Sequence, residues 1–107
     1  MAIGMLQSWE GFTKEMYEGV TEKMFGHSAP MRAEESPEGL IVHSAGQTPN
    51  GWYVYDIWES REAFERFMDE QLMPAARELM GDQPPPAGAE PQFFPVDVLV
   101  MPQTSTA

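Results

Sequence analysis

The sequence predicts an α+β fold with the element order β-α-β-β-α-β. Apolar residues make up 42% of the 107 residues, a proportion typical of a folded globular chain. Short apolar segments alternate with two longer segments in which apolar residues recur every three or four positions. Glycine and proline stand at the borders between these segments. We therefore expect one domain over residues 1–107, with four strands and two helices.

The first strand and the first helix are predicted from the opening quarter of the chain. The run "AIGMLQSW" at residues 2–9 has the composition of a strand. Thr13 offers a hydroxyl that can cap a helix, and Gly26 is placed to end it. The apolar stripe of this helix consists of Met16, Val20 and Met24, with Tyr17 beside them. Residues 27–38 contain two prolines and no periodicity, which predicts a loop.

A hairpin is predicted next. "GLIVHSAG" at residues 39–46 and "WYVYDIWE" at residues 52–59 read as strands. The segment "QTPNG" between them has the chemistry of a turn, because Asn50-Gly51 can adopt the positive φ angles that tight hairpins use.

The second helix and the last strand complete the pattern. Ser60 can cap a helix that Gly81 ends, while Pro74 predicts a break or kink after Met73. The apolar face of this helix would consist of Phe64, Phe67, Met68, Gln71, Leu72, Ala75 and Leu79. We expect a Pro-rich loop over residues 81–91, a strand over "QFFPVDVLVM" at residues 92–101, and a frayed tail over residues 102–107.

This order is typical of the ferredoxin-like arrangement, a four-stranded antiparallel sheet with both helices on one face. The third strand is apolar on both sides: Trp52, Val54 and Trp58 alternate with Tyr53, Tyr55 and Ile57. Two helices can cover only one of these sides. Since exposed apolar surface costs ~25 cal/mol per Å², we expect the open face to pack against a second copy in a homodimer.

Charge and composition exclude several classes of partner. Seventeen acidic and six basic residues give a net charge of −11, which would repel nucleic acid and anionic lipid. The sequence has no cysteine, and its start is too short and too acidic for a signal peptide. We expect a soluble cytoplasmic protein with no nucleic-acid or membrane partner. The chain has two histidines, of which His27 lies in the predicted loop among solvated acids, so no metal site is expected.

The string "YDIWESREAFERF" at residues 55–67 resembles the strand-to-helix segment of the antibiotic biosynthesis monooxygenase-like family, the dimeric α/β barrels. Element order agrees over nearly the whole chain, and close similarity covers roughly residues 51–72. The family includes cofactor-free oxygenases that act on polyketide anthrones, haem-degrading enzymes, cyclases and members with no assigned reaction. The resemblance implies a dimeric barrel and does not by itself name a substrate.

The family's functional residues are matched only in part. Trp58 stands where anthrone-type oxygenases have a pocket Trp. The Asn four residues before it is replaced by Val54, and the Tyr six residues after it by Phe64. Haem-degrading members have a Trp and, ten residues later, an iron-ligating His where this chain has Phe67 and Arg77. The resemblance therefore implies no haem, and we expect no other cofactor.

Two polar residues remain as candidates for catalysis. His43 lies mid-strand and is either a half-buried histidine bonded to a carbonyl or a general base. Asp56 is either a structural acceptor for a Trp or Tyr hydrogen or a catalytic carboxylate. The candidate substrate-binding residues are Trp52, Val54, Trp58, Phe64 and Phe67.

The length of the hairpin loop decides whether the two candidates meet. A loop of two or four residues sets His43 opposite Trp58 or Asp56, on the helix side of the sheet. A loop of three or five residues sets it on the other side. We favour four residues, because Pro49 has no amide hydrogen for the pair that would flank a two-residue Asn50-Gly51 turn.

Two functions of different classes follow. One is a small cofactor-independent enzyme, an oxygenase or cyclase, that holds an aromatic or polyketide-like molecule in an apolar pocket between helices and sheet. There His43 and Asp56 would move a proton. The other is a non-catalytic small-molecule-binding or stress-response barrel. An aromatic pocket is compatible with both.

Overall fold

A computed structural model describes residues 2–28, 30–81 and 90–102. Its strands form one antiparallel sheet in the order β2-β3-β1-β4. The predicted α+β, ferredoxin-like fold is confirmed. The strands are β1 (Ile3–Glu10), β2 (Leu40–Thr48), β3 (Gly51–Trp58) and β4 (Gln92–Pro95). The helices are α1 (Lys14–Phe25), α2 (Arg61–Phe67) and α3 (Met73–Met80), with a 3₁₀ turn at Ala33–Glu35 and a π-helical turn at Met68–Leu72 between α2 and α3. Within the described residues, no helix has the length and apolar character needed to cross a bilayer.

The ends of α1 are set by the two predicted residues. Thr13 has extended backbone angles, and its Oγ1 accepts a hydrogen bond of 3.1 Å from the N–H of Met16. Gly26 adopts the left-handed conformation with φ 82°, and its N–H donates to the carbonyl of Glu22 at 2.8 Å. Both ends therefore satisfy backbone groups that a helix terminus leaves unpaired.

The second helical segment, which comprises α2, the π-helical turn and α3, continues through Pro74, whereas the sequence predicted a break or kink after Met73. Proline has no N–H, and its ring would clash with the carbonyl four residues earlier. The backbone widens one turn before Pro74, so that the N–H of Met73 donates to the carbonyl of Met68, five residues back. The irregularity thus precedes the proline, and the chain keeps its helical direction to Gly81.

The hairpin has the predicted register with a different turn. Thr48 pairs with Gly51, so only Pro49 and Asn50 lie between the strands, and Gly51 belongs to β3 without a positive φ. The favoured loop length of four residues is therefore wrong, and Gly51 is not part of the turn. The pairing nevertheless equals that of the four-residue loop, and His43 lies opposite Asp56.

Strand β4 is shorter than the predicted run to residue 101. Pro95 pairs with Ile3, the first residue of β1, so β1 offers no further partner. The N–H of Val96 still donates to the carbonyl of Ala2 at 3.1 Å. Residues 96–102 then continue without regular structure, and Val98 and Val100 are 80% and 74% exposed. Most of the predicted Pro-rich loop, residues 82–89, and of the predicted tail, residues 103–107, lies outside the described residues.

The two faces of the sheet differ as the alternation in β3 predicts. The side that faces the helices is buried, and its core cluster consists of Met5, Trp52, Val54, Trp58 and Phe64. On the other side, Tyr53 and Tyr55 lie across cross-strand glycines. A Cβ atom at Gly46 would come within 2.9 Å of the Tyr53 ring, and one at Gly4 within 2.8 Å of the Tyr55 hydroxyl. Tyr55 stays 36% exposed, so this open face is only partly covered within one chain.

Candidate proton-transfer site

Side chains from three elements form a continuous chain of hydrogen bonds at one end of the buried face. His43 on β2 and Asp56 on β3 are cross-strand partners, and His43 Nδ1 lies 2.7 Å from Asp56 Oδ1. Tyr17 on α1 reaches down to the same imidazole, with its hydroxyl 2.6 Å from His43 Nε2. The site is a Tyr-His-Asp relay in which the imidazole is the central group. The predicted meeting of His43 and Asp56 is confirmed, whereas their catalytic role stays a prediction.

Asp56 anchors the relay. Its side chain is only 6% exposed, and both carboxylate oxygens have donors. Oδ1 faces the imidazole, and Oδ2 accepts the indole N–H of Trp58 at 3.3 Å. A buried carboxylate is stabilised when its oxygens are hydrogen-bonded. Because Trp58 is fully buried, the carboxylate has a fixed position from which to orient His43.

The hydrogen bonds determine the tautomer of the neutral His43. A carboxylate can only accept, so Nδ1 carries the proton and donates it to Asp56. This leaves a lone pair on Nε2, which accepts the hydroxyl proton of Tyr17. The imidazole side chain is 26% exposed, so the relay combines a buried acid with a base that reaches the surface.

Tyr17 is the member of the site that the sequence did not reveal. Its position beside the apolar stripe of α1 is compatible with a core residue, and no motif in the chain marks it. Its ring packs on Trp52 with centroids 5.0 Å apart. Burial, and secondarily the charge of Asp56, raise the pKa of the Tyr17 phenol to about 12. The phenol therefore remains protonated at neutral pH, as the hydrogen bond to Nε2 requires. The signal that could have identified it is topological: α1 crosses the sheet face that carries His43.

The predicted substrate-binding residues lie beside the relay. Trp52, Val54, Trp58 and Phe64 are buried, and Phe67 is half-buried. They contact each other: the ring of Trp58 lies 5.7 Å from that of Phe64 and 5.6 Å from that of Phe67. Among the described residues, the indole N–H of Trp52 has no hydrogen-bond acceptor. Substrate binding by these five side chains stays a prediction.

A separate groove of about 220 Å³ lies between α1 and the second helical segment. It contains none of the predicted site residues. Its lining is formed by Lys23, Met24, Glu70, Gln71, Pro74, Ala75 and Glu78.

His27 differs from its predicted place on the surface. It is half-buried, and Nε2 lies 2.9 Å from both carboxylate oxygens of Glu35. Glu35 also accepts the backbone N–H of Arg32 at 2.9 Å. That N–H, followed by His27, lowers the pKa of the Glu35 carboxyl. Glu35 is therefore a structural acid that closes the loop before β2. In the part of the chain that the structure describes, no three metal-ligating side chains come together.

Comparison with known proteins places the fold. No protein-family model matches the sequence, and no curated protein matches it. A candidate antibiotic biosynthesis monooxygenase from Chloroflexus aurantiacus J-10-fl is similar in structure, with a TM-score of 0.62 at 15% identity over 94% of this chain and 98% of that one.

Two further solved structures have the same architecture. A variant of SnoaB, a cofactor-independent oxygenase from Streptomyces nogalater, has a TM-score of 0.54 at 14% identity over 92% of this chain and 95% of that one. A variant of MhuD from Mycobacterium tuberculosis, with two manganese protoporphyrin IX molecules per active site, has a TM-score of 0.53 at 22% identity. The match covers 94% of this chain and 99% of that one. These likenesses confirm the fold that the sequence resemblance predicted.

Proposed function

We propose that this chain is a small enzyme of the antibiotic biosynthesis monooxygenase-like family that removes a proton from an aromatic or polyketide-like molecule. It would act as a cofactor-independent oxygenase or as a cyclase. The observation that carries the proposal is the 2.7 Å hydrogen bond between His43 Nδ1 and the buried Asp56. A base that is oriented by a buried carboxylate is the arrangement that general-base catalysis needs.

The carboxylate contributes in two ways. It selects the neutral tautomer whose lone pair lies on Nε2, away from Asp56. It also stabilises the imidazolium ion that forms when His43 takes a proton, because the opposite charge of the buried Asp56 lies in direct contact with it. Asp56 is a positioning residue in this scheme, and its buried bond to Trp58 keeps it in place.

Trp52 supports a binding role for the neighbouring rings. Trp52 is only 5% exposed, and its ring packs on Tyr17 of the relay. Buried N–H groups normally have an acceptor, and a phenolate or enolate oxygen of a substrate would supply one for its indole. Val54, Trp58, Phe64 and Phe67 would supply the apolar surface against which the rings of such a substrate lie.

Both reaction types begin with the same proton transfer. In an oxygenase, the carbanion left by an anthrone-type CH₂ group gives electrons to dioxygen, so that CH₂ and O₂ become C=O and H₂O. Carbon is oxidised and dioxygen is reduced. In a cyclase, the carbanion attacks a carbonyl carbon of the same chain to form a C–C bond, and the carbonyl oxygen takes up the proton. Neither sequence of steps requires a cofactor from the protein.

A non-catalytic binding or stress-response protein is the second candidate. The observation that favours it is the contact of Trp58 with Phe64 and Phe67, since residues that fill one another's space leave a substrate less room. Such a barrel would bind an aromatic molecule without converting it.

We also propose a cytoplasmic homodimer. The open sheet face with Tyr55 and Phe94, and the exposed residues that follow β4, support self-association. Disulfide bonds are typical of proteins in oxidising compartments, and this chain has no cysteine with which to form one.

The test measures oxygen consumption and quinone formation with a dihydroxyanthrone. The wild-type protein should consume one O₂ for each quinone formed. His43→Gln should lower kcat about 10²–10⁴-fold, the usual contribution of a general base. His27→Gln is the matched control, because it removes the other imidazole, and it should retain activity.

The outcomes separate the two candidate functions. The binding protein would be favoured if the anthrone binds saturably but is oxidised no faster than in buffer, and if poly-β-ketone probes likewise cyclise no faster than in buffer. Equal losses in His43→Gln and His27→Gln would remove the relay from the proposal.

A further inference from the structure

The relay contains a feature that the proposed function alone does not use. The lone pair of His43 Nε2, the atom that would take the proton, is already occupied by the hydroxyl of Tyr17 at 2.6 Å. A substrate can reach this nitrogen directly only if Tyr17 moves away. Otherwise the nearest atom of the relay that it can contact is the phenol oxygen of Tyr17.

Tyr17 is held firmly where it is. Its backbone N–H donates to the carbonyl of Thr13 in the first turn of α1 at 3.0 Å, and its own carbonyl accepts the buried hydroxyl of Thr21 at 3.1 Å. The phenol ring packs on Trp52 and lies almost parallel to the His43 ring, with an angle of 9° between the planes. Moving this side chain would break a short hydrogen bond and a ring contact. If the proton passes through Tyr17 instead, both the hydrogen bond to His43 and the contact with Trp52 are kept.

We infer that Tyr17 is a further catalytic residue, the group that exchanges the proton with the substrate, and that the substrate offers a phenol or enol hydroxyl. This inference rests on the proposed function and specifies its substrate class. In the transfer, the substrate O–H bond breaks as a new O–H bond forms on Tyr17. The former O–H bond of Tyr17 breaks at the same time as an N–H bond forms on His43 Nε2. The substrate becomes an anion, Tyr17 remains neutral, and the imidazolium is paired with Asp56.

The chemistry of Tyr17 explains why the substrate should be an oxygen acid. A phenol with a pKa of about 12 is not ionised at neutral pH, so Tyr17 cannot act as a base by itself. It can pass a proton only while it is accepting one. An O–H group forms the hydrogen bond that aligns both transfers, whereas a C–H group forms a much weaker one. An anthrone would therefore enter as its hydroxyl tautomer.

Binding of a nitronaphthol tests this inference without requiring turnover. Its phenolate absorbs at longer wavelength than its neutral form, so absorbance measures proton transfer while equilibrium dialysis measures binding. Below the pKa of the free probe, the wild-type protein should convert bound nitronaphthol to the phenolate. Tyr17→Phe keeps the ring on Trp52 and removes the hydroxyl. In this variant, the fraction of bound probe that is ionised should be at least tenfold lower. Tyr53→Phe, the same change on the other side of the sheet, is the matched control and should behave as the wild type does. Circular dichroism establishes that the variants are folded.

The possible results distinguish this inference from the proposed function. If Tyr17→Phe ionises the probe as well as the wild type does, or better because Nε2 has become free, His43 accepts the proton directly. That result overturns the role of Tyr17 and leaves the proposed function intact. If His43→Gln ionises the probe as the wild type does, or if the wild type neither binds nor ionises it, both proposals fail. Loss of ionisation in Tyr17→Phe and His43→Gln, with binding retained, supports both.

Discussion

Asp56 accounts for much of the order in the candidate site. One carboxylate accepts hydrogen bonds from His43 at 2.7 Å and from Trp58 at 3.3 Å. Removing one partner of a buried polar pair commonly costs ~1–3 kcal/mol, so each of these side chains depends on the others. The charge of Asp56 also raises the pKa of Tyr17, which is hydrogen-bonded to the other nitrogen of the same imidazole.

Asp56→Asn should lower the pKa of Tyr17. Burial and the carboxylate charge both disfavour the phenolate, and together they raise its pKa from 10.0 to about 12. The substitution removes the negative charge but leaves the burial, which is the larger cause. The pKa should therefore fall and stay above 10.0. Ultraviolet absorbance of tyrosinate during alkaline titration measures it, with Tyr17→Phe as the reference that assigns the transition.

Asp69→Asn provides the control for this titration, because it removes an acid that is exposed on the π-helical turn. It should leave the Tyr17 transition in place. A Tyr17 pKa that is unchanged or higher in Asp56→Asn would contradict the proposed electrostatic coupling.

Residue roles could be predicted from the sequence only where a strand pattern constrained them. The meeting of His43 and Asp56 could be predicted because side chains alternate along strands and because Pro49 restricts the turn. The role of Tyr17 could not be predicted, because its partner lies 26 positions away on another element and no local spacing encodes that contact. His27 was predicted on the surface because its partner Glu35 stands in a loop without periodicity.

At the scale of elements, the first turn of α1 links helix stability to the relay. Thr13 caps the helix through its hydroxyl, and its carbonyl accepts the backbone N–H of Tyr17. The start of the helix therefore decides where the phenol lies above the sheet. Fraying of the whole first turn would break the hydrogen bond between Thr13 and Tyr17 and release the position of the phenol.

Thr13→Ala should lower the free energy of unfolding by ~1 kcal/mol, the usual cost of losing a hydroxyl cap. Urea denaturation measures this value. Thr13→Ser keeps the hydroxyl and should retain most of the stability. Equal losses in the two variants would mean that the methyl group of Thr13, rather than its hydrogen bond to Met16, stabilises the helix.

Element order could be predicted from the sequence, whereas several boundaries could not. The strand-like composition of residues 96–101 predicted a longer β4, but a strand ends where its neighbour ends, and β1 begins at Ile3. The sequence favoured a loop of four residues, whereas the chain turns in two, Pro49 and Asn50, because Gly51 pairs with Thr48 and belongs to β3. Pro74 predicted an irregular helix. That the irregularity is a π-helical turn, and that it precedes the proline, is known only from the backbone geometry.

At the scale of the whole molecule, the chain has one well-covered sheet face and one that is partly bare. Tyr55 and Phe94 on the open face are 36% and 46% exposed, and the segment after β4 adds Val98, Leu99, Val100 and Met101. Exposed apolar side chains in such number are typical of a surface that contacts a partner. The resemblance to dimeric barrels and the exposure of these side chains lead to the same expectation.

We expect light scattering on a size-exclusion peak to give twice the 12.0 kDa mass of one chain. Tyr55→Asp should shift the peak to the monomer, because it would bury an unpaired charge between the open faces. Leu79→Asp is the control, since Leu79 on α3 has a similar exposure of 39% and lies on the helix side. A wild-type protein that stays monomeric at micromolar concentration, or a Tyr55→Asp variant that stays dimeric, would contradict this interface.

The distribution of charge gives such an assembly a distinctive response to ionic strength. Each chain carries −11, so two copies together would carry −22. The two central strands of the open face carry few ionic groups: of the residues that β1 and β3 present on that side, only Glu10, at the end of its strand, is charged. Association would therefore bury few counter-charges while bringing two like-charged bodies together. Dissolved salt screens that repulsion over ~8–10 Å and leaves the apolar contact untouched, so concentrated electrolyte should tighten the complex, whereas interfaces built from ion pairs loosen.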